Sequence, residues 1–353
     1  MKAKLKVAVI FNESNPELYL KPSKKRKKKA DFVPFFEVEH TTPLEDYEII
    51  RKKLEEEGFE SYTLNIFDDI NILINDIKKN KPDVIFNFVE LYKDNPKLEM
   101  NVVGLFELLG IQYTGSPPLA LANCQNKEMA KKLLNINGIK TPPYFFVEDL
   151  RKKIKHDLKY PLIVKPAFED ASVGIENESI VFSKAELLER MEHVFQKFTQ
   201  PVLIEEFIEG RELNIAIFED NGTRALPISE ISFEEMPEHL HNIVSYQAKW
   251  DPHHEAYHKT IPICPANLPA RIEKKAKEIA IKSFHVMECR DYARVDVRLT
   301  KDEEIYVLEV NPNPDLTEGA GFMRSAEADG MSYSQVLKKL VEMAYARKGK
   351  VSG

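Results

Sequence analysis

A chain of 353 residues with 43% hydrophobic and 30% charged side chains can hold two or three subdomains and has a water-soluble, globular balance. Its net charge of −7 argues against a nucleic-acid protein, which needs a basic face, and no apolar run approaches the roughly 20 residues that span a bilayer. Met1 to Phe11 lacks a signal-peptide pattern, and the widely spaced Cys124, Cys264 and Cys289 do not form a disulfide framework, so a cytoplasmic location is expected.

Leu5 to Phe11 is a short continuous apolar run, the pattern of a buried parallel strand. Lys21 to Lys29 is almost wholly basic. A solvated, self-repelling loop is its simpler reading and an anion patch the alternative. A helical pattern over Asp46 to Glu57 stops at Gly58, a usual residue just past a helix end. Tyr62 to Ile66 reads as a strand, Ile70 to Lys79 as a helix, Pro82 to Phe88 as a strand, and Met100 to Leu109 as a helix closed by Gly110. This alternation predicts a parallel sheet with helices on both faces.

Thr114-Gly115-Ser116-Pro117-Pro118 breaks the pattern and starts a second unit. Ala120 to Asn135 reads as one helix. After Thr141-Pro142-Pro143 the character changes to strands with polar loops, at Pro161 to Pro166, Val202 to Phe207 and Glu212 to Phe218. Arg271 to His285 reads as a helix with an apolar stripe, and Ser334 to Ala346 as the last helix.

The strongest chemical signal lies between those two helices. Tyr292 to Leu299 alternates, so that Arg294, Asp296 and Arg298 share one face. In Ile305 to Asn311 the same count puts Val307, Glu309 and Asn311 on one face. Folded antiparallel about the polar turn Thr300 to Glu304, Asp296 falls opposite Glu309. Like charges in that position repel. A hard cation held by oxygen ligands removes the repulsion, and Asp, Glu and Asn are ligands that magnesium takes. The alternative is an exposed polar face without metal. Asn311-Pro312-Asn313-Pro314 weighs against it, because two prolines stop the strand directly after the last candidate ligand.

Arg-x-Asp, thirteen residues from Asp296 to Glu309, then Glu-x-Asn, resembles the ATP-grasp signature, and specifically the D-alanine–D-alanine ligase branch. The resemblance implies an α/β fold, α+β in its ATP-grasp part. An N-terminal parallel α/β pre-ATP-grasp domain would span residues 1–116. A central ATP-grasp subdomain with the phosphate loop would span 117–210, and a C-terminal one with the magnesium site 211–353. The implied reaction is ATP-dependent joining of a carboxylate to an amine through an acyl phosphate, with release of ADP. ATP and magnesium are the implied cofactors, with two metal ions expected and manganese as a substitute.

By the same resemblance, Asp296, Glu309 and Asn311 hold the metal. Lys127, Lys165 and Ser172 with the small-residue loop Ser172-Val173-Gly174-Ile175 meet the phosphates. Glu205 and the backbone near Glu206 and Ile208 read the adenine edge, and Glu212 the ribose. Tyr246-Gln247-Ala248-Lys249-Trp250 is similar to the start of a mobile loop over the active site, with Lys249 on the phosphate or the intermediate. Arg294 would stabilise an oxyanion. Small-molecule carboxylates and amines are the implied partners, with no nucleic acid and no membrane, and a homodimer as the oligomer to test for.

The substrate-reading segments depart from that family. The glycine-rich N-terminal segment is replaced by Phe11-Asn12-Glu13-Ser14, and a second glycine-rich motif by Phe88-Val89-Glu90-Leu91. Family serines fall at Ala171 and Ala320, and a glycine at Asp315. Altered specificity follows, and Arg324 is a candidate to hold an acceptor carboxylate. Rival readings are an ATP-grasp small-molecule kinase, a non-catalytic nucleotide-binding module, and a zinc protein built on His239, His241, His253, His254 and His258. No His-Glu-x-x-His helix or paired-cysteine spacing supports the zinc reading.

Overall fold

A computed structural model of the chain describes residues 4–16, 42–151, 154–169 and 172–348. The basic run at 21–29 and position 171 lie outside them. The first unit interleaves β1 (Lys6–Phe11), α1 (Pro43–Glu56), β2 (Glu60–Asn65), α2 (Ile70–Asn80), β3 (Val84–Phe88), α3 (Glu99–Leu108) and β4 (Gln112–Tyr113). Its strands form a parallel sheet in the order β2-β1-β3-β4, with Val7 to Ile10 fully buried, as the apolar run requires. Helix α1 starts where the sequence allows it: Thr42 and Glu45 form a capping box and Pro43 occupies the first turn.

Next come α4 (Pro118–Gln125) and α5 (Lys127–Ile136). The single helix expected over this stretch is two. Asn126 leaves helical geometry at ψ 91 and accepts a hydrogen bond from the Met129 N–H, so it ends one helix and caps the next. The second sheet follows, with β5 (Tyr144–Val147), β6 (Leu162–Pro166), β7 (Ile180–Val181), α6 (Lys184–Phe198) and β8 (Val202–Glu206). Its order is β5-β8-β6-β7. Helix α6 is absent from the sequence reading. It is capped by Ser183 and buries Leu187, Met191 and Val194 on the sheet, a spacing of 3.6-residue period.

The third sheet collects β9 (Arg211–Phe218), β10 (Arg224–Ala225) and β11 (Ser229–Ser232). Two short helices, α7 (Tyr246–Trp250) and α8 (Glu255–Lys259), precede β12 (Ile261–Ile263). Helix α9 (Ala270–Val286), β13 (Tyr292–Leu299), β14 (Ile305–Asn311), α10 (Gly321–Ala328) and α11 (Tyr333–Ala346) complete the chain. The order is β12-β11-β9-β13-β14, antiparallel throughout, with β10 beside β9. Among the described residues, no helix is long and apolar enough to cross a membrane.

Two features tie the first unit to the third sheet. Helix α11 sends Val336, Leu340 and Val341 into one core with Val7, Val9 and Phe86. Asp291, 2% exposed, accepts from the Gly115 N–H at 2.8 Å and from the Arg347 guanidinium, which also donates to Tyr113 O at 2.6 Å. Removing the Asp291 carboxylate strands a guanidinium and a buried N–H. Asp291→Ala should therefore lower unfolding free energy by about 3–5 kcal/mol, read as a drop in the urea midpoint. Alongside, the Asn313 amide oxygen accepts from the Ser116 N–H at 2.9 Å. Gly115 sits at φ +91, where a Cβ would collide with that amide, so this contact requires glycine.

Candidate active site

Strands β13 and β14 pair as the alternation predicts, with Asp296 opposite Glu309 and Arg294 opposite Asn311. One detail differs. The register slips after Asp296, so that Val297 pairs with Val307 and Leu308 is the extra residue. Val307 and Val310 consequently both enter the core, at 0% and 5% exposure, and Val307 does not share a face with Glu309. A bulge re-aims side chains in this way at the edge of a working site.

Asp296 is 6% exposed and carries three sets of partners. The Arg294 guanidinium donates to both of its oxygens at 2.8 Å, a bidentate pair. Asn214 Nδ2, from the facing residue of β9, donates to Oδ1 at 2.7 Å. Asn311 Nδ2 donates to Oδ2 at 3.0 Å and approaches Glu309 Oε1 at 3.4 Å. Burial alone would push the Asp296 carboxyl up, but the Arg294 guanidinium holds it below the usual carboxylate range. Two carboxylates and an amide thus sit within one small polar centre. Asn214 went unnoticed in the sequence, because its role depends on pairing between strands about 80 residues apart.

A second charged centre lies on the face of the second sheet opposite α6. Tyr144, Glu205, Ile163 and Lys165 alternate onto that face. Glu205, 1% exposed, is ion-paired through Oε1 to Lys131 of α5, and its Oε2 lies 2.7 Å from Lys165 Nζ. Burial would raise the Glu205 carboxyl, but the two lysines hold it down to about 2. Lys131 is itself 3% exposed and was also missed in the sequence. Glu206 points elsewhere: its carboxylate accepts from the Lys159 N–H at 2.9 Å, and its own N–H is committed to Pro143 O. Ile208 lies in the half-buried turn that follows.

Glu212 connects the two centres. Its carboxylate accepts from Arg298 at 2.7 Å, and Arg298 also reaches the Gly210 and Asn242 carbonyls. Burial pushes the Glu212 carboxyl above its ordinary value, while the Arg298 charge opposes that shift and the charges of Asp296, Lys165 and Arg294 reach the same group. Lys249, on α7, is solvent-exposed. Desolvation by the protein around it still lowers its ammonium, and Arg294, Glu309 and Asp296 are among the charges that act on it.

The small-residue loop packs under this segment. Ser172, at φ 64, donates to Val244 O at 2.8 Å, and the Tyr246 N–H donates to Ile175 O at 2.7 Å. Gly174 is at φ +76, where a Cβ would stand 2.7 Å from Pro166 Cγ. Lys127 sits one turn from Lys131, and its ammonium contacts the Glu169 carbonyl near the loop. The histidines are used locally. His254 Nδ1 caps α8, His258 Nε2 pairs with Pro252 O at 3.0 Å, and His239 faces Glu255 at 2.9 Å. Among the described residues, no group of three or more His, Cys, Asp or Glu has metal-binding proximity.

Residues 133–342 match the family model described as D-ala D-ala ligase C-terminus, well over half of the chain. The D-alanine–D-alanine ligase A of Bacillus cereus is 32% identical over 284 residues, covering 79% of this chain and 87% of that protein. An uncharacterised protein of Sinorhizobium fredii, y4sG, is 30% identical over 264 residues, covering 75% of each. The crystal structure of the D-alanine–D-alanine ligase of Bacillus anthracis complexed with ATP superposes with a TM-score of 0.73 at 25% identity, over 98% of this chain and 99% of that one. The mixed α/β architecture with one parallel and two antiparallel sheets, the arginine–carboxylate hairpin and these matches agree: the chain belongs to the D-alanine–D-alanine ligase family of ATP-grasp enzymes, ATP-dependent ligases that form a carbon–nitrogen bond.

Proposed function

We propose that this ligase phosphorylates a small carboxylate to an acyl phosphate and joins it to the amine of an amino acid or short peptide, with a substrate specificity altered from that of the D-alanine–D-alanine ligases. The observation that carries the reading is the pairing of Asp296 with Glu309 beside a bidentate Arg294. A free carboxylate does not react with an amine, because oxide is a poor leaving group. Transfer of the terminal phosphoryl group of ATP makes phosphate the leaving group instead, and such transfer needs charge neutralisation and alignment more than covalent help.

The carboxylates of Asp296 and Glu309 suit a hard, oxygen-seeking cation such as magnesium, and Asn311, whose Nδ2 now faces both of them, would join as a ligand once its amide turns to present Oδ1. When bound there, the metal would supply charge neutralisation for the phosphates. The remaining steps belong to side chains. Lys165, Lys127 and Lys249 balance phosphate charge, with Ser172 and the loop N–H groups closing over it. Glu205 and the Glu206 carbonyl, with Ile208, read the adenine edge; the Glu206 N–H is already committed. Glu212 meets the ribose. Arg294 donates to the oxyanion formed when the amine attacks. In this reading, the nucleotide site lies between a unit at 117–210 and a unit at 211–353, against a first unit at 1–116. The need for ATP and free amino acids places the enzyme in the cytoplasm.

The acceptor side supports changed specificity. Ala320 precedes α10 without a side-chain cap, where family members carry a serine. Arg324, in the first turn of α10, has a buried Nε with no hydrogen-bond partner among the described residues. A Cβ at Gly321 would lie 3.6 Å from Arg324 NH2 and 3.8 Å from Arg294 NH1, so both guanidiniums line one spot. An acceptor carboxylate there would satisfy Arg324 and place its amine beside the activated donor. The test is incubation with MgATP and pools of D- and L-amino acids and dipeptides, with ADP, phosphate and product mass recorded. ADP, phosphate and a dehydrated conjugate are expected. A stable phosphorylated product would instead make the enzyme a kinase.

A further inference from the structure

Glu205 stands between two lysines that are not equivalent. Lys131 rises from α5 with 4% of its side chain exposed. Lys165 ends β6 with 15% exposed, on the face that meets the nucleotide in the reading above. Two ammonium groups around one carboxylate leave a surplus positive charge in a buried place. Burying an unbalanced charge is costly, so the surplus needs an anion within reach. Only Lys165 can turn to one. The remaining neighbours do not supply it: Tyr144 of β5 is neutral and lies 5.3 Å from Lys131 Nζ across its ring, Glu309 of β14 acts on Lys131 only at a distance, and Glu212 of β9, which feels the Lys165 charge, is already paired with Arg298 at 2.7 Å.

We infer that Lys131 is a positioning residue, the fixed counterion of Glu205 whose charge releases Lys165 to the phosphates of a bound nucleotide. The inference rests on the nucleotide reading of this face. With Lys131 in place, Glu205 keeps one full partner when Lys165 swings away, and the pair left behind is neutral. Without it, Lys165 is the sole counterion of a buried carboxylate and stays locked on Glu205, unless that carboxylate takes up a proton. Charge coupling of this kind differs from simple packing in two measurable ways. Loss of Lys131 should be tolerated once Glu205 is uncharged, and it should matter less in acid.

The test is equilibrium binding of MgATP to the full chain for wild type, Lys131→Met, Glu205→Gln and the double variant. Lys131→Met should weaken binding on the order of tenfold or more at about pH 8, the loss of a charge-assisted contact, and the ratio to wild type should shrink toward about pH 5, because in the variant burial is no longer opposed by Lys131 and the Glu205 carboxyl takes up a proton that the wild-type carboxyl does not. The double variant should bind at least as well as Glu205→Gln alone. That second comparison stands even where Lys131→Met does not fold, because the double variant carries no unpaired carboxylate. Wild-type affinity in Lys131→Met would overturn the inference. So would a deficit that is flat with pH, or a double variant weaker than Glu205→Gln. Failure of the wild type to bind MgATP would remove the nucleotide reading as well, a result distinct from all three.

Discussion

Arg294→Ala should lose about 10²–10³-fold in turnover, because it removes the donor that the proposed mechanism assigns to the oxyanion. It should also destabilise the fold, and the structure gives the reason. Asp296 is 6% exposed, and Arg294 supplies both of its strongest hydrogen bonds. Breaking a buried pair by removing one member costs about 3–5 kcal/mol, since the charge left behind has lost its partner. Asn214 and Asn311 still donate to Asp296 and keep the loss toward the lower end. The two effects can be separated. Added magnesium and ATP should raise the melting temperature of Arg294→Ala more than that of wild type, because an ion held at the proposed site would replace the missing positive charge. Arg294→Lys keeps a charge without the planar fork, so it should recover stability before it recovers turnover. Unchanged turnover in Arg294→Ala would take this residue out of the mechanism.

Glu309→Gln should behave in the opposite way toward stability. The substitution removes one of two carboxylates that face each other across β13 and β14, and an amide can donate to Asp296. In metal-chelated buffer the variant should be more stable by about 1 kcal/mol, the size of a relieved cross-strand repulsion. Turnover should fall on the order of 10³-fold, since in the proposed metal site several kcal/mol of charge stabilisation at the phosphates would depend on that ligand. Gain of stability with loss of activity is the signature of a site whose strain serves function. A variant that loses stability in chelator would mean that Glu309 is a structural partner of Asp296 and that no cation is needed there.

Much of the fold was legible in the sequence because its signals are local. The parallel sheet followed from apolar runs closed by helix-terminating residues, and Gly58 and Gly110 indeed adopt positive φ. The carboxylate hairpin was legible because a two-residue period and a polar turn fix its register without distant information. The bulge at Leu308 was not, because an extra apolar residue inside an apolar strand leaves no mark. The break at Asn126 was hidden for a related reason. Both flanking segments favour helix, and only the side-chain cap on Met129 N separates them. Lys131 and Asn214 belong to a third class. Each looks ordinary in its own element, and each acquires its role from a partner far away in the chain, Glu205 and Asp296 respectively. The substrate side is least legible, since Arg324 can be understood only beside Arg294 and Gly321 in space.

The most direct measurement follows one oxygen atom. Carboxylate substrates labelled with a heavy oxygen isotope are supplied with MgATP and amine acceptors, and the released phosphate is weighed. Activation as an acyl phosphate makes a carboxylate oxygen the bridge to phosphorus, and amine attack then expels it with the phosphate. The expected result is one labelled oxygen in each phosphate, matched by one conjugate formed. Product formation with unlabelled phosphate would contradict carboxylate phosphorylation at this site.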